Sequence, residues 1–274
     1  DALPIFRKAQ IKRDIAYINL QKEQGRLTSG EADYWKEKIG NLQEYQYGYH
    51  KGWSMILDTL TWPVLIMMLI CIGIAPIFAG EYQSKCDSLI LCMKYGRSKL
   101  ILAKIISGWL YATGVYWGIT LIYSSIYMIF LGTQGADLPI QLKYPAMSVG
   151  YNLTMGEAVG ITLLLGYFFT LGIMGITLFM SALLKNTYAV IIVAFLLIII
   201  PTFLSLDTGG YVWSHVLSLL PPKIADFSFQ SYTAYSIGNI VLSWPVMAIL
   251  VNAIVAVLCS VLGYIIFRKH QVNK

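Results

Sequence analysis

Five runs of the chain, 60–80, 105–131, 158–184, 188–206 and 241–267, contain no Asp, Glu, Lys, Arg or His. A hydrocarbon core of roughly 30 Å is crossed by about 20 residues at helical rise, and each run suits that length. In lipid, only helices and closed barrels satisfy their own backbone, and runs this long and uniformly apolar are not barrel strands. The charged fraction agrees, since 12% of residues are charged against roughly a quarter in soluble domains. The chain therefore reads as an all-α, polytopic transmembrane helical protein with five visible crossings. Two domains are expected: 1–59, a helical hairpin segment, and 60–274, the transmembrane part.

Basic residues in the short connections give the orientation. Lys85, Lys94, Arg97, Lys99, Lys104, Lys185, Arg268, Lys269 and Lys274 lie on one side, against Lys143 and Lys223 on the other. The first side, with the C-terminus, is expected to be cytoplasmic, and residues 1–59 to lie outside the cell. That segment mixes basic and acidic residues over a long stretch, which weakens its weight in the charge rule. It reads as two helices with apolar stripes, Ile11, Ile15 and Ile18 on the first and Ala32, Trp35, Ile39 and Leu42 on the second. Gly25 is placed to end the first helix, and Thr28 with Glu31 has the spacing of a capping box for the second. A small packed hairpin is the plain expectation; gating a substrate or docking a partner is the other. The first residue is Asp1, so an exported hairpin implies a cleaved signal or an earlier membrane helix ahead of it.

Uncharged runs argue against proton relays, ion-coupled carriers and voltage sensors, which place ionisable residues at membrane depth. No phosphate-loop or metalloprotease pattern occurs. Cys71 and Cys259 lie in apolar runs and Cys86 and Cys92 in one connection, which suggests no disulfide framework. His50, His215 and His270 are too far apart for a metal-ligand spacing, so no metal site is expected. Within the second run, Thr113, Tyr116, Trp117, Thr120, Tyr123, Ser124 and Tyr127 share one helical face. Such a polar, aromatic face either packs against a neighbouring helix or lines a path for an amphipathic substrate. Gly172 and Gly175 in the third run, with Asn252, Ala256, Ser260 and Gly263 in the fifth, suit close helix packing.

The connection between the first two runs, about 81–99, is too polar to span a bilayer. Leu89, Met93 and Gly96 can share one helical face while Lys85, Asp87, Lys94 and Arg97 lie off it. A short amphipathic helix is expected here. A lipid-surface helix, a solvated connector and a docking element for a soluble partner are the three readings of it.

Glu81, then Asp87-Ser88-Leu89-Ile90-Leu91, then Gly96-Arg97-Ser98-Lys99 and Lys104 leading into the next crossing, resemble the ABC-2 type transporter permeases. In those proteins this segment is a coupling helix that contacts a separate ATP-binding subunit. The layout of 60–274 is similar too, with an outer helical segment at about 207–240. The family carries six helices, so the resemblance implies a first helix before Asp1. It departs at Lys85-Cys86, where the family shows Gly-Thr. Glu157-Ala158-Val159 does not complete the importer-type Glu-Ala-Ala motif, since Leu163 stands where a glycine is needed.

The resemblance implies the membrane subunit of an ATP-driven exporter in a bacterial cell membrane, moving a peptide or amphipathic compound outward. Glu81, Asp87, Leu89, Met93, Arg97 and Lys104 would form the interface to the ATPase. ATP and Mg would sit on that partner, with no cofactor and no catalysis on this chain. A second permease chain and the bilayer are the other implied partners; nucleic acid is not one. The alternative is a membrane sensor or immunity subunit that binds a ligand through its outer hairpin. A passive channel is a further alternative, disfavoured by the lack of a charged ring.

Overall fold

A computed structural model of the chain describes residues 2–40, 47–59, 62–86, 89, 92–93, 95–144, 149–205, 210–238 and 240–269. The fold is mostly helical. Four of its helices, Pro63–Gln83, Ser98–Leu131, Met155–Leu183 and Trp244–Lys269, are long and apolar enough to cross a membrane. The elements in order are α1 (Ala2–Glu23), α2 (Ser29–Gly40), α3 (Lys51–Asp58), α4 (Trp62–Ile74), α5 (Pro76–Gln83) and α6 (Ile101–Leu131). They continue with α7 (Met155–Leu183), α8 (Thr187–Phe203), α9 (Tyr211–Ser218), β1 (Ala234–Ile237), β2 (Ile240–Ser243) and α10 (Trp244–Lys269).

α7 is the central helix, packed against α10, α4, α6, α5 and α8. It starts in a capping box: the amide of Glu157 donates to Thr154 Oγ1 at 3.2 Å, and the amide of Thr154 donates to Glu157 Oε2 at 2.9 Å. Its contact with α10 is close because small residues face each other. A Cβ on Gly175 would lie 2.7 Å from Ala256 Cα, and one on Gly172 would lie 2.5 Å from Asn252 Oδ1. Asn252 is buried, and its amide donates to Ala248 O (2.9 Å) and Leu219 O (3.2 Å). Ser260 donates to Ala256 O and accepts from Trp109 Nε1 at 3.1 Å, joining α10 to α6.

α4 runs on into α5 through Ala75, which keeps helical angles (φ −51°, ψ −42°) in front of Pro76. Proline removes one helical donor and disturbs the turn before it. Ser181 of α7 fills the gap: its hydroxyl donates to Ala75 O and accepts from the amides of Phe78 (3.0 Å) and Ala79 (3.1 Å).

The fourth apolar run forms α8, whose 17 residues extend about 25 Å at helical rise. It is shorter than the four helices of spanning length. Its buried stripe is Val190, Ala194, Ile198 and Pro201.

At one end of the bundle α1–α3, α9 and the β-hairpin form a cap. Gly25 (φ +68°) ends α1, and the Thr28–Glu31 capping box opens α2, with Thr28 N donating to Glu31 Oε2 at 2.9 Å. Ile18, Ala32, Trp35 and Ile39 are buried, Ile11 and Ile15 half-buried; Leu42 lies outside the described residues. The two helices do not pack on each other alone. Trp35 meets Tyr151 and Tyr232 edge-on at centroid distances of 5.1 and 5.4 Å. α3 docks on the end of α6, where Trp53 Nε1 donates to Thr133 O at 3.0 Å. Lys143 also holds α3, paired with Asp58 and donating to Ser54 O.

One expectation is corrected here. The mostly helical fold agrees with the all-α expectation, but the segment expected to be helical at about 207–240 also carries a short β-hairpin. After α9 and a 3-10 turn (Pro221–Asp226), β1 and β2 pair antiparallel with Ile237 opposite Ile240. Gly238 (φ +61°) stands in the turn; a Gly-Asn pair between two short runs is a two-residue hairpin signal. Val241–Ser243, read as the start of the fifth crossing, thus belongs to β2, and α10 begins at Trp244 with Pro245 in its first turn.

Candidate functional site

The other end of the bundle carries the basic residues, and here the connection between α5 and α6 leaves the helices. α5 ends in a Schellman motif, the pattern in which the last turn's carbonyls are satisfied by the two residues that follow. Cys86 N donates to Glu81 O at 3.0 Å and Lys85 N to Tyr82 O at 3.3 Å. Lys85 holds the left-handed conformation, φ +55°. Such a backbone favours glycine and costs a side-chain-bearing residue roughly 1–2 kcal/mol. The bend is therefore made without the glycine, by a lysine under strain. α1 ends in the same pair of bonds, Arg26 N to Gln21 O and Gly25 N to Lys22 O, with glycine at the left-handed position.

Beyond the bend, Leu89 and Cys92 are helical. Leu89 is 70% exposed, Met93 54% and Tyr95 51%, so the apolar side of the segment is turned away from this chain. Asp87 and the side chain of Arg97 lie outside the described residues, as does Lys94. The chain re-enters the bundle through one wide turn, Gly96–Leu100, in which Leu100 N donates to Tyr95 O at 3.2 Å. Lys99 Nζ stands 4.6 Å from the Tyr95 ring centroid.

Lys104, one turn into α6, reaches back to α5. It pairs with Glu81 and donates to Ile77 O at 3.0 Å. The two flanks of the exposed segment are thus tied by charge. The surrounding base is firm: Tyr82 OH donates to Ala182 O (3.1 Å), Gln83 Nε2 to Asn186 Oδ1 (3.1 Å), and Phe78 packs on Phe267 at 4.7 Å. Asn186 also caps α8 through Tyr188 N. Of the sequence-selected residues, the fold brings Glu81 and Lys104 into contact and leaves Leu89 and Met93 facing outward. Sequence reasoning missed Tyr82, Gln83 and Asn186; nothing in their local pattern signals contacts about a hundred residues away.

Residues of the hydroxyl-rich face of α6 make contacts within the chain. Tyr116 is buried and donates to Leu163 O at 2.6 Å; Thr113 and Tyr167 share a hydrogen bond of 3.0 Å; Trp117 and Tyr116 both lie against the Tyr167 ring. Thr120 is buried, and Tyr123 and Tyr127 pack against the central core. Glu157 caps α7 and lies far from this end.

At the capped end, Glu31 is fully buried and accepts from Tyr211 OH at 2.7 Å. Burial, with the Glu31 carboxylate as a second cause, pushes the Tyr211 hydroxyl up to about 12. Burial also raises Tyr151 and Tyr235. His215 ties α9 to β1: Nδ1 lies 2.8 Å from Tyr211 O and Nε2 3.1 Å from Ala234 O.

No curated protein and no solved structure matches the chain. Residues 34–272 match the model of DUF2705, a family described as proteins of unknown function. With most of its length inside that match, the chain belongs to the DUF2705 family.

Proposed function

We propose that this chain is the membrane-embedded subunit of an ATP-driven exporter of the ABC-2 type, moving a peptide or amphipathic compound out of a bacterial cell. It hydrolyses nothing itself; ATP and Mg are held by a separate ATP-binding subunit. The basic end is cytoplasmic and the capped end outside, following the excess of Lys and Arg at the former. α8 is the fifth crossing, its short length made up by the residues that flank it.

One observation carries the reading. The α5–α6 connection presents Leu89, Met93 and Tyr95 to the surroundings, on a base clamped by Glu81 and Lys104. An exposed apolar surface anchored to two membrane helices is what a force-bearing contact needs: the partner grips the surface, and the clamp passes displacement into α5 and α6 together. A ligand or partner shifts such an equilibrium only through contacts that differ between two states. Residues of the Thr113–Tyr127 stripe make contacts within the chain, so the proposed path is placed elsewhere. It lies on the outer face of α6, where Leu110, Leu121, Ile122, Ile129 and Phe130 are exposed, against a second permease chain.

Purification in mild detergent, with mass spectrometry of what remains bound, tests this. A stoichiometric phosphate-loop protein is expected. Leu89→Asp should release it while leaving the chain inserted, and Glu81→Lys should weaken transport that Glu81→Lys with Lys104→Glu restores. Retention of the partner by Leu89→Asp, or its absence from the wild-type chain, would refute the proposal.

A further inference from the structure

The basic end carries a second pattern besides the exposed connection. Segments 81–104, 184–187 and 268–274 together hold nine Lys or Arg against two acidic residues, Glu81 and Asp87. Glu81 is already paired with Lys104, so this end keeps a strong positive excess. Where that excess meets the helices, tyrosine accompanies it. Lys99 Nζ stands 4.6 Å from the Tyr95 ring centroid, and the guanidinium carbon of Arg268 stands 6.0 Å from that of Tyr264.

The two pairs belong to neighbouring elements. The Gly96–Leu100 turn, which carries Lys99, packs against α10, whose last residues are Arg268 and Lys269. All three cations are exposed. Further along the helices the exposed surface turns apolar, with Leu102 and Ile106 on α6 and Val261 and Ile265 on α10. Val261, Ile265 and Arg268 follow the three- and four-residue spacing of one helical face. A cation over a ring, at the end of an apolar stripe, is the order found at a membrane boundary. Tyrosine rings sit there at headgroup level, and long basic side chains reach outward from the hydrocarbon. An acidic protein would match the charge but not the stripe beneath it; a phospholipid offers a phosphate and acyl chains together.

We propose that Lys99, Arg268 and Lys269, with the Tyr95 and Tyr264 rings, form a binding site for an anionic phospholipid of the bilayer. The guanidinium fork takes the phosphate through paired hydrogen bonds, and the two ammonium groups add point charge. The rings hold their cations at headgroup depth, while the acyl chains lie along α6 and α10. A lipid seated there ties the re-entry turn of the connection to the end of α10. Each basic residue close to an anionic membrane surface contributes roughly fivefold in affinity. The site does not depend on what grips Leu89 and Met93, and its occupancy is read on the purified chain with no ATP-binding subunit present.

The test places the full chain in mixed micelles with phosphatidylglycerol or phosphatidylcholine of the same acyl chains. Native mass spectrometry reads the retained lipid, and thermal unfolding reads the stabilisation. Phosphatidylglycerol should be retained at least about fivefold better than phosphatidylcholine and should raise the unfolding midpoint. That preference should shrink at about 1 M salt, where exposed charges are screened within roughly 3 Å. Lys99→Gln with Arg268→Gln should remove it while leaving the lipid-free midpoint unchanged. Lys12→Gln with Lys22→Gln, the same change of charge on exposed residues of α1, should leave it intact. Equal retention of the two lipids, an unchanged preference in the Lys99 and Arg268 variant, its equal loss in the Lys12 and Lys22 variant, or a midpoint shift of the same size from inorganic phosphate would each overturn the proposal.

Discussion

The hydroxyl of Ser181 donates a hydrogen bond of 2.7 Å to the carbonyl of Ala75, the residue immediately before Pro76 in the first apolar helix. It also accepts from the Phe78 and Ala79 amides, so one side chain of α7 satisfies three backbone groups of α4 and α5. In a bilayer these groups have no water to turn to, and a proline break survives only when a neighbour supplies the bonds. Ser181→Ala should cost about 1–3 kcal/mol through the orphaned groups, visible as a lower midpoint in thermal unfolding. Adding Pro76→Ala should recover part of the loss, because a regular helix satisfies the same amides from within. A double variant as unstable as the single one would show that Ser181 acts by packing alone.

Gly175 faces Ala256 backbone, with an added Cβ 2.7 Å from its Cα and 2.8 Å from its carbonyl oxygen. Backbone cannot swing aside as a side chain can, so Gly175→Ala must push α10 away from α7, at about 1–3 kcal/mol. Gly114 of α6 has nothing within 4 Å of the same added atom. Gly114→Ala should be neutral or slightly stabilising, and unfolding midpoints of the two variants measured side by side decide the matter.

Lys85 and Gly25 occupy equivalent positions at the ends of α5 and α1, both with positive φ. Lys85→Gly should therefore stabilise the bend by about 1 kcal/mol. Hydrogen exchange at the Lys85 and Cys86 amides, which close the motif, should slow in the variant. Faster exchange there would mean that the lysine side chain contributes more than its backbone conformation costs.

Asp14 of α1 is buried, and burial raises its carboxyl from 3.8 to about 6. The folded state then holds the proton more tightly than the unfolded chain. That contribution to stability is fully present below the unfolded value of 3.8, and is lost as pH rises through about 6. The hairpin should be more protected from proteolysis at pH 4 than at pH 7, and Asp14→Asn should flatten the difference and stabilise the neutral form. A hairpin that loosens on acidification would contradict this sign.

Much of this architecture was legible without coordinates, for a reason particular to lipid. A run without charges at membrane depth has little choice but helix, and the observed ends of α6, α7 and α10 fall within a few residues of the apolar runs apart from the basic turns at their tips. Gly25 and the Thr28–Glu31 box were readable because their bonds join residues three to five apart. The β-hairpin was missed although Gly238-Asn239 signals one, since Ile240 and Val241 also extend the apolar run of α10 and the longer pattern prevailed.

The candidate site divides the same way. That Glu81 and Lys104 flank a polar connection is visible in the order of residues; that they meet is decided by the packing of α4 on α6, which brings α5 beside the first turn of α6. The face from Thr113 to Tyr127 was open to two readings, because a helical wheel shows which residues share a face and not what stands opposite. α7 stands opposite Thr113, Tyr116 and Trp117, which contact it through Tyr167 and Leu163. Sequence by itself determined where the chain enters lipid, which end is basic and where α1 and α2 begin and end, since solvation and local hydrogen bonds act on neighbouring residues. Tertiary structure alone decided that Ser181 repairs the break at Pro76 and that Trp35 joins the hairpin to Tyr151 and Tyr232, since these contacts depend on how helices far apart in sequence are laid side by side.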